Sequence, residues 1–424
     1  MVEIVLGKLK TEGHRKLLSS SILIFAGSVV GYGVNYLYNV VMGRLLGPAE
    51  YGHLSALVAL LYIVTFPLAA LNTVIIRFVT AYKNKGQFDR IVSVLTKLNQ
   101  KFTFIGLGFL VLIMLNANFL KDFFKLPDIW GLFLLGLLIS LSFNSTVNMG
   151  VLSGLLNFRF ISLLNSIIPP IKLIAAVILV LWGLKANGAL LGLLLTTLIG
   201  FAISFLPLRF LWKYKMKETE IDWKEIQRFG VPAFLAILFF TSMANVDVLL
   251  VKHYFSETEA GLYSALSLAA KVIFFISGPI NTVLFPVLVE SKEKQGKSDS
   301  VFWMAFGLIG LSALTLTTLY WINPRFWLGL LFGAKYLESA SFLPLFGVFM
   351  TLYSLDNALL SYYLSVNKTR VYVLTLLAFV LQIISIILFH NSFIQIILAS
   401  TVVAFILLLG LVSIYWVKLK NNTG

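Results

Sequence analysis

The chain has 424 residues, of which 59% are hydrophobic and 12% charged, and it contains no cysteine. A soluble protein has about a quarter of its residues charged, so this composition excludes soluble classes. The missing cysteine also excludes disulfides, thiol nucleophiles, iron–sulfur clusters and cysteine-ligated zinc. The formal net charge of +15 is typical of a membrane protein that retains Lys and Arg on its cytoplasmic side. We therefore expect no nucleic-acid partner, and the four scattered histidines predict no metal site.

Apolar runs long enough to cross a bilayer predict about twelve transmembrane helices. In chain order they cover residues 17–42, 52–76, 102–120, 127–150, 160–182, 186–211, 229–251, 260–288, 301–321, 339–364, 371–390 and 393–417. An even number places both termini on one side. Most of the 33 Lys and Arg residues lie in segments on that side. The sequence thus predicts a multi-pass protein of the cytoplasmic (inner) membrane with both termini in the cytoplasm.

The two halves of the chain share a repeated pattern. At a fixed offset of 209, several small and polar residues recur without a gap. They are Glu50, Gly52, Ser55, Ala56, Leu57, Asn72, Thr73 and Val74, matched by Glu259, Gly261, Ser264, Ala265, Leu266, Asn281, Thr282 and Val283. The pattern predicts six-helix lobes at 1–212 and 229–424, joined by a cytoplasmic linker at 213–228. Six is even, so a parallel pseudo-two-fold axis should relate the lobes. An ancient duplication without mechanistic meaning is the alternative.

Four ionisable residues fall inside predicted spans: Lys172, Lys271, Asp247 and Asp356. A charge at the centre of a membrane helix costs about 2.5–3.5 kcal/mol on insertion scales. Each is therefore a candidate functional residue. For the two lysines, a cavity-facing charge, a buried Lys–Asp pair and snorkelling to the interface all stay open. Asp247 has a position at the outer interface as its alternative.

Amide side chains accompany these charges at helical spacing. The candidates for the lining of a central cavity are Asn35, Asn39, Asn144, Asn148, Asn165 and Asn281. Polar stripes on several helices cannot all face lipid, because the hydrocarbon core offers no water to satisfy them. Convergence on a cavity between the lobes is one interpretation. Hydrogen bonding between neighbouring helices, worth about 0.6 kcal/mol each, is the other.

The sequence carries no catalytic arrangement. The predicted outward loops are short and hold neither paired carboxylates nor a histidine-centred group, and the chain has no P-loop. We therefore expect a transporter and not an enzyme, without cofactors. Its energy would come from an ion gradient, the membrane potential or the gradient of the substrate.

The segment GRLLGPAEYG, residues 43–52, resembles a signature of the polysaccharide transporters. These Wzx-type oligosaccharide-lipid flippases belong to the superfamily that also contains the MATE drug exporters, and the resemblance extends over the whole chain. It implies a MATE-like, all-α fold with a V-shaped pair of lobes around a cationic cavity. The implied substrate is a polyprenyl-diphosphate-linked oligosaccharide, flipped from the inner to the outer leaflet by alternating access.

The resemblance nominates Lys172 and Lys271 as cavity cations for the anionic headgroup, with Arg77 and Arg44 as further candidates. Asp247 and Asp356 are the candidates for coupling to Na⁺ or H⁺. The lumen is sparse in arginine, which binds phosphate bidentately. Partners would be the bilayer, the lipid-linked glycan and polysaccharide assembly proteins, and a monomer suffices. Alternatives are a MATE-type exporter of cationic drugs, a membrane polysaccharide polymerase or ligase, and a structural role.

Overall fold

The computed structural model describes residues 2–216, 223–293, 298–366 and 368–422. Side chains are described for residues 31, 33–216, 230–278, 280, 302–366 and 368–415. Within these ranges the chain forms helices and turns, with no strand. Asn281 has its side chain outside the described part, so its predicted role stays a prediction.

The first half of the chain contains seven α-helices. They are α1 (Val2–Thr65), α2 (Leu68–Asn84), α3 (Phe88–Leu115), α4 (Ala117–Phe123), α5 (Trp130–Gly154), α6 (Phe158–Leu179) and α7 (Lys185–Ser204). A π-helical turn at Val180–Leu184 precedes α7, and a 3₁₀ segment at Leu206–Lys213 follows it.

The second half adds eight α-helices. They are α8 (Trp223–Met243), α9 (Val246–Tyr254), α10 (Glu257–Glu293), α11 (Ser298–Ile322), α12 (Pro324–Phe332), α13 (Leu343–Ser365), α14 (Tyr372–Leu388) and α15 (Phe393–Asn422). Further 3₁₀ segments lie at Ala334–Phe342 and Thr369–Val371.

Nine helical segments in the described ranges are long and apolar enough to cross a membrane. Two of these segments are more than twice as long as the roughly 20 residues that one crossing needs. They are Gly33–Asn84 with 52 residues and Phe158–Lys213 with 56. They are interrupted where the sequence predicts turns, at Gly47 with φ 74° and Gly183 with φ 90°. The all-α, multi-pass membrane fold is therefore confirmed, whereas the number of twelve spans and the pseudo-two-fold axis stay predictions.

Two compact units make up the chain. The first comprises residues 1–42, 71–117 and 130–221, and the second comprises 43–70, 118–129 and 222–424. In the first, α5 packs against α3 and α7, and its Leu132, Val147 and Val151 are fully buried. In the second, α13 packs against α10, α11 and α15. The predicted division into 1–212, 213–228 and 229–424 stays a prediction.

Residues of the predicted repeat meet inside the second unit. Gly52 and Gly261 approach so closely that a Cβ added to Gly52 would lie 3.0 Å from the backbone nitrogen of Gly261. A Cβ on Gly261 would lie 1.7 Å from the carbonyl oxygen of Pro48. Only glycine fits at this crossing, which accounts for its presence in both copies of the pattern.

Candidate substrate and ion sites

Lys172 lies on α6 in the first unit, and its side chain is 8% exposed. Its ammonium group donates a hydrogen bond to the side-chain oxygen of Asn35 on α1 and lies 4.3 Å from the ring centroid of Tyr38. The Tyr38 hydroxyl in turn donates to the carbonyl oxygen of Ala189 at 3.0 Å, which fixes the ring. An amide and an aromatic face therefore surround this ammonium group, and a desolvated cation–π contact contributes about 2 kcal/mol.

The amides of α1 bond to backbone within their own helix, and α1 also approaches α6 closely at Gly31. Asn35 also donates to the carbonyl oxygen of Gly31 at 2.8 Å, and Asn39 donates to that of Asn35 at 3.0 Å. A Cβ on Gly31 would lie 2.7 Å from the carbonyl oxygen of Asn165. The backbones of α1 and α6 are thus in close contact at Gly31, one turn from the partner of Lys172.

Asn144 and Asn148 on α5 have neighbouring helices as partners. Asn148 is fully buried, accepts from Asn99 at 3.0 Å and donates to the hydroxyl of Ser204 at 2.8 Å. Asn144 accepts from Thr103 at 3.1 Å. These bonds join α5 to α3 and to the end of α7. They are the hydrogen bonds between neighbouring helices that the sequence left as the alternative to a cavity lining. Their predicted place in a cavity lining stays a prediction.

The two candidate arginines are both exposed. Arg77 lies on α2. Arg44 donates through Nε to the carbonyl oxygen of Leu331 at 2.7 Å, and through Nη2 to that of Leu330. Arg44 therefore caps the last turn of α12, where unpaired carbonyls and the helix dipole favour a cation. Arg44 and Lys172 lie in different units, and the predicted role of Arg77 and Arg44 in a cationic cavity stays a prediction.

A bent helix forms the charged centre of the second unit. The segments Gly230–Met243 and Val246–Tyr254 meet at an angle of 43°. Asp247 lies directly after this break and is fully buried. One of its oxygens accepts from the backbone N–H of Val248 at 2.9 Å, and the other accepts from the hydroxyl of Tyr263 at 2.9 Å. The carboxylate thus occupies the N-terminus of a half-helix inside the protein, where the free N–H groups favour an anion.

Lys271 on α10 faces the same break. Its ammonium group donates to the side-chain oxygen of Asn245 at 3.2 Å, and it is near enough to Asp247 for an electrostatic interaction. Asn245 donates in turn to the carbonyl oxygen of Thr241 at 2.8 Å, which ties the lysine to the end of α8. Of the interpretations left open by the sequence, this geometry favours a buried Lys–Asp relationship for Lys271 and places Asp247 in the interior.

Asp356 lies in the middle of α13 and is fully buried. Neither of its carboxylate oxygens has a hydrogen-bond partner among the described residues. A buried polar group without a partner costs about 1–3 kcal/mol, and more when charged. Asp356 is therefore suited to bind a proton or a small cation.

Sequence reasoning missed three residues of these sites. Tyr38 looks like any aromatic residue of an apolar helix, and only its hydroxyl bond to another helix reveals its position. Gln382 is fully buried on α14 and donates to the carbonyl oxygen of Met243 at 3.0 Å and to Ser400 at 2.9 Å. An uncharged glutamine in an apolar span was the available signal. Asn245 is the residue before α9, where its side chain makes no capping bond, and an amide two residues before Asp247 was the available signal.

Comparison of the sequence with known families matches residues 41–341 to a family described as polysaccharide biosynthesis protein. A curated relative is an uncharacterized membrane protein of Methanocaldococcus jannaschii. It is 23% identical over 313 residues, which are 69% of this chain and 74% of the relative.

Solved structures with the same fold include transporters and a flippase. An inward-facing multidrug resistance MATE family transporter has a TM-score of 0.75 at 13% identity, covering 94% of this chain and 100% of the other. The lipid II flippase MurJ in an inward closed conformation has a TM-score of 0.72 at 16% identity, covering 95% and 87%. The eukaryotic MATE transporter AtDTX14 has a TM-score of 0.65 at 14% identity, covering 93% of each chain. At these identities the likeness establishes a MATE-like fold.

Proposed function

The chain belongs to the polysaccharide biosynthesis protein family, and from this membership we propose that it is a flippase for a polyprenyl-diphosphate-linked oligosaccharide. It moves the headgroup of this lipid from the inner to the outer leaflet of the cytoplasmic membrane by alternating access. The function is transport and not catalysis.

The environment of Lys172 is the main support for an anionic substrate. This lysine is buried inside a membrane protein, yet its recorded partners, Asn35 and Tyr38, are both uncharged. A buried cation that no carboxylate of the described residues neutralises favours an anionic ligand, and a diphosphate supplies several acceptor oxygens. Lysine would act on it as a point charge, since it lacks the planar fork of arginine.

Lys271 has a different setting, because Asp247 balances its charge in part. We therefore assign the main headgroup contact to Lys172 and a secondary one to Lys271. Arg44 serves α12 as a cap, which leaves it a structural role.

The membrane potential suits this direction of transport. Moving one negative charge outward across an inside-negative membrane is favoured by about 2.3 kcal/mol per 100 mV. A diphosphate headgroup could therefore be driven by the potential alone. Asp356 and the bend at Asp247 add a second energy source, since buried carboxylates beside broken membrane helices are typical sites of Na⁺ or H⁺ coupling.

The test is translocation of a short-glycan polyprenyl diphosphate in proteoliposomes. We expect Lys172→Ala to slow flipping by about ten- to a hundredfold, because a hydrogen bond to a charged group contributes about 1.5–3 kcal/mol. Lys271→Ala should have a smaller effect. Lys215→Ala, at an exposed position after the 3₁₀ segment, is the matched control and should leave the rate unchanged.

A different result would move the protein to another function. If wild type flips no lipid-linked glycan but extrudes cationic dyes, it is a MATE-type exporter, for which the shared fold provides the precedent. Equal flipping by wild type and Lys172→Ala would overturn the assignment of the headgroup site.

A further inference from the structure

Histidines gather at one end of the second unit, around the turn between α9 and α10. The sequence has four histidines, and three of them, His53, His253 and His390, contact residues 253–257 or lie among them. The predicted spans place this turn on the outer side of the membrane. The three side chains have different surroundings, which allows their roles to be separated.

His53 lies between two carboxylates. Its Nδ1 is 3.8 Å from Oε2 of Glu50, and its Nε2 is 3.4 Å from Oε1 of Glu257. The imidazole is 4% exposed, and neither nitrogen has a hydrogen-bond partner among the described residues. Each ring nitrogen of this buried side chain thus faces one acidic residue.

A neutral imidazole cannot satisfy both neighbours. It carries one N–H donor and one lone pair, whereas an ionised carboxylate only accepts. Whichever tautomer forms, one carboxylate faces a lone pair. The imidazolium donates on both sides, so the charged ring alone matches this arrangement. The present separations exceed a hydrogen bond of about 2.7–3.2 Å, and protonation would draw the three groups together.

Other charges near His53 come from the ends of α9 and α4. Lys252 is 1% exposed and its ammonium group has no hydrogen-bond partner among the described residues. Burial of the ring and the charge of Lys252 both oppose a positive charge on His53, whereas both carboxylates favour it. Lys125 is exposed and donates to the carbonyl oxygen of Phe255 at 2.9 Å. The cluster therefore combines His53 with the acidic residues Glu50, Glu257 and Glu259 and the basic residues Lys252 and Lys125.

His53 lies beside the glycine crossing of α1 and α10 in the second unit. His53 follows Gly52 on α1, and Glu257 begins α10 four residues before Gly261. A Cβ added to Gly52 would lie 2.8 Å from the backbone carbonyl oxygen of Glu257. A stronger bond from His53 to Glu257 would hold the two helices together at their glycine crossing.

We propose that His53 is a proton-operated latch between α1 and α10. Protonated, the imidazolium bridges Glu50 and Glu257 and keeps the two helices in contact. Deprotonated, the ring releases one carboxylate and the contact weakens. The pH on the predicted outer side would then set how readily this end of the protein opens, whatever substrate it carries.

The absence of cysteine from the natural chain makes spin labelling a direct test. Labels at Ala49→Cys and Thr258→Cys report the separation of the two turns by double electron–electron resonance in nanodiscs. Between pH of about 5 and 8, where histidine titrates, wild type should shift from a short to a longer distance. The ratio of the two populations can change by up to about tenfold per pH unit for one titrating group.

His53→Gln should remove this pH dependence, because glutamine stays uncharged. His390→Gln is the matched control, since His390 stacks on Tyr254 at 3.8 Å and faces no carboxylate in the recorded contacts. It should leave the pH dependence intact. If His53→Gln fails to fold, Glu257→Gln at a half-exposed position carries the test and should reduce the shift at least severalfold.

Two outcomes would overturn the latch. One is a distance distribution in wild type that does not change with pH. The other is a pH-dependent shift that survives both His53→Gln and Glu257→Gln or is lost in His390→Gln, which would move the titrating group elsewhere.

Discussion

The hydroxyl of Ser55 donates a hydrogen bond to the hydroxyl of Ser264 at 2.6 Å, across a sequence separation of 209 residues. This separation equals the offset at which the sequence pattern repeats. Residues that the repeat equates are thus in direct contact, as equivalent residues are on the axis of a two-fold interface. Such a contact needs small side chains on both sides, which explains why Gly and Ser recur in the pattern.

Gly261→Ala should destabilise the protein. Its Cβ would lie 1.7 Å from the carbonyl oxygen of Pro48, so α1 and α10 must separate, and such overpacking costs about 1–3 kcal/mol. Thermal unfolding in detergent should show a lower Tm. Gly278→Ala lies on the same helix with open space around its Cβ position and should leave Tm unchanged or raise it. Equal Tm values for the two variants would contradict this packing.

Gln382→Leu should destabilise the bend at Met243. The glutamine amide donates to the Met243 carbonyl and to Ser400, and loss of a buried partner costs about 1–3 kcal/mol. Ser400→Ala removes one of these bonds and should cost less. A double-mutant cycle on unfolding free energy measures the coupling between the two residues. A coupling of zero would show that the bond between Gln382 and Ser400 does not contribute to stability.

Asp356→Asn should separate ion coupling from folding. Asparagine keeps the shape of the side chain and removes the cost of a buried charge, so Tm should not fall. If Asp356 binds the coupling ion, flipping in proteoliposomes should become insensitive to imposed Na⁺ and H⁺ gradients while still responding to membrane potential. Asp122→Asn, at an exposed position, is the control. Unchanged gradient dependence in Asp356→Asn would remove Asp356 from the coupling site.

The sequence was sufficient to predict the membrane fold, because apolar runs and glycine-containing turns have local causes. Gly47 and Gly183 break the helices at the predicted turns. The sites were harder to predict, since an amide that faces a cavity and one that faces a neighbouring helix look alike in sequence. Asn35 and Asn148 both occur at helical spacing, yet one contacts Lys172 and the other joins two helices.

The bend between α8 and α9 could not be predicted from the sequence either. It has no proline or glycine at the break, where residues 244–245 are Ala and Asn. Its hydrogen-bond partner Gln382 comes from α14, and Gln382 also bonds to Ser400 on α15. A local pattern cannot reveal a distortion that distant side chains stabilise.

Asn35→Asp should distinguish a binding cation from a structural one at Lys172. The new carboxylate would replace the amide oxygen that accepts from the lysine and form an ion pair with it. The aspartate loses the hydrogen bond from the Asn35 amide to the carbonyl oxygen of Gly31, and the new ion pair offsets that loss. The Tm should therefore change little, whereas Lys172 would no longer be available to an anion. We expect flipping of a polyprenyl diphosphate to fall by about tenfold or more, as for the loss of one charge-assisted bond. Asn39→Asp, one turn further along α1 and hydrogen-bonded to backbone, is the matched control and should reduce flipping less. Full activity in Asn35→Asp with unchanged folding would mean that Lys172 stabilises the α1–α6 contact without binding the substrate.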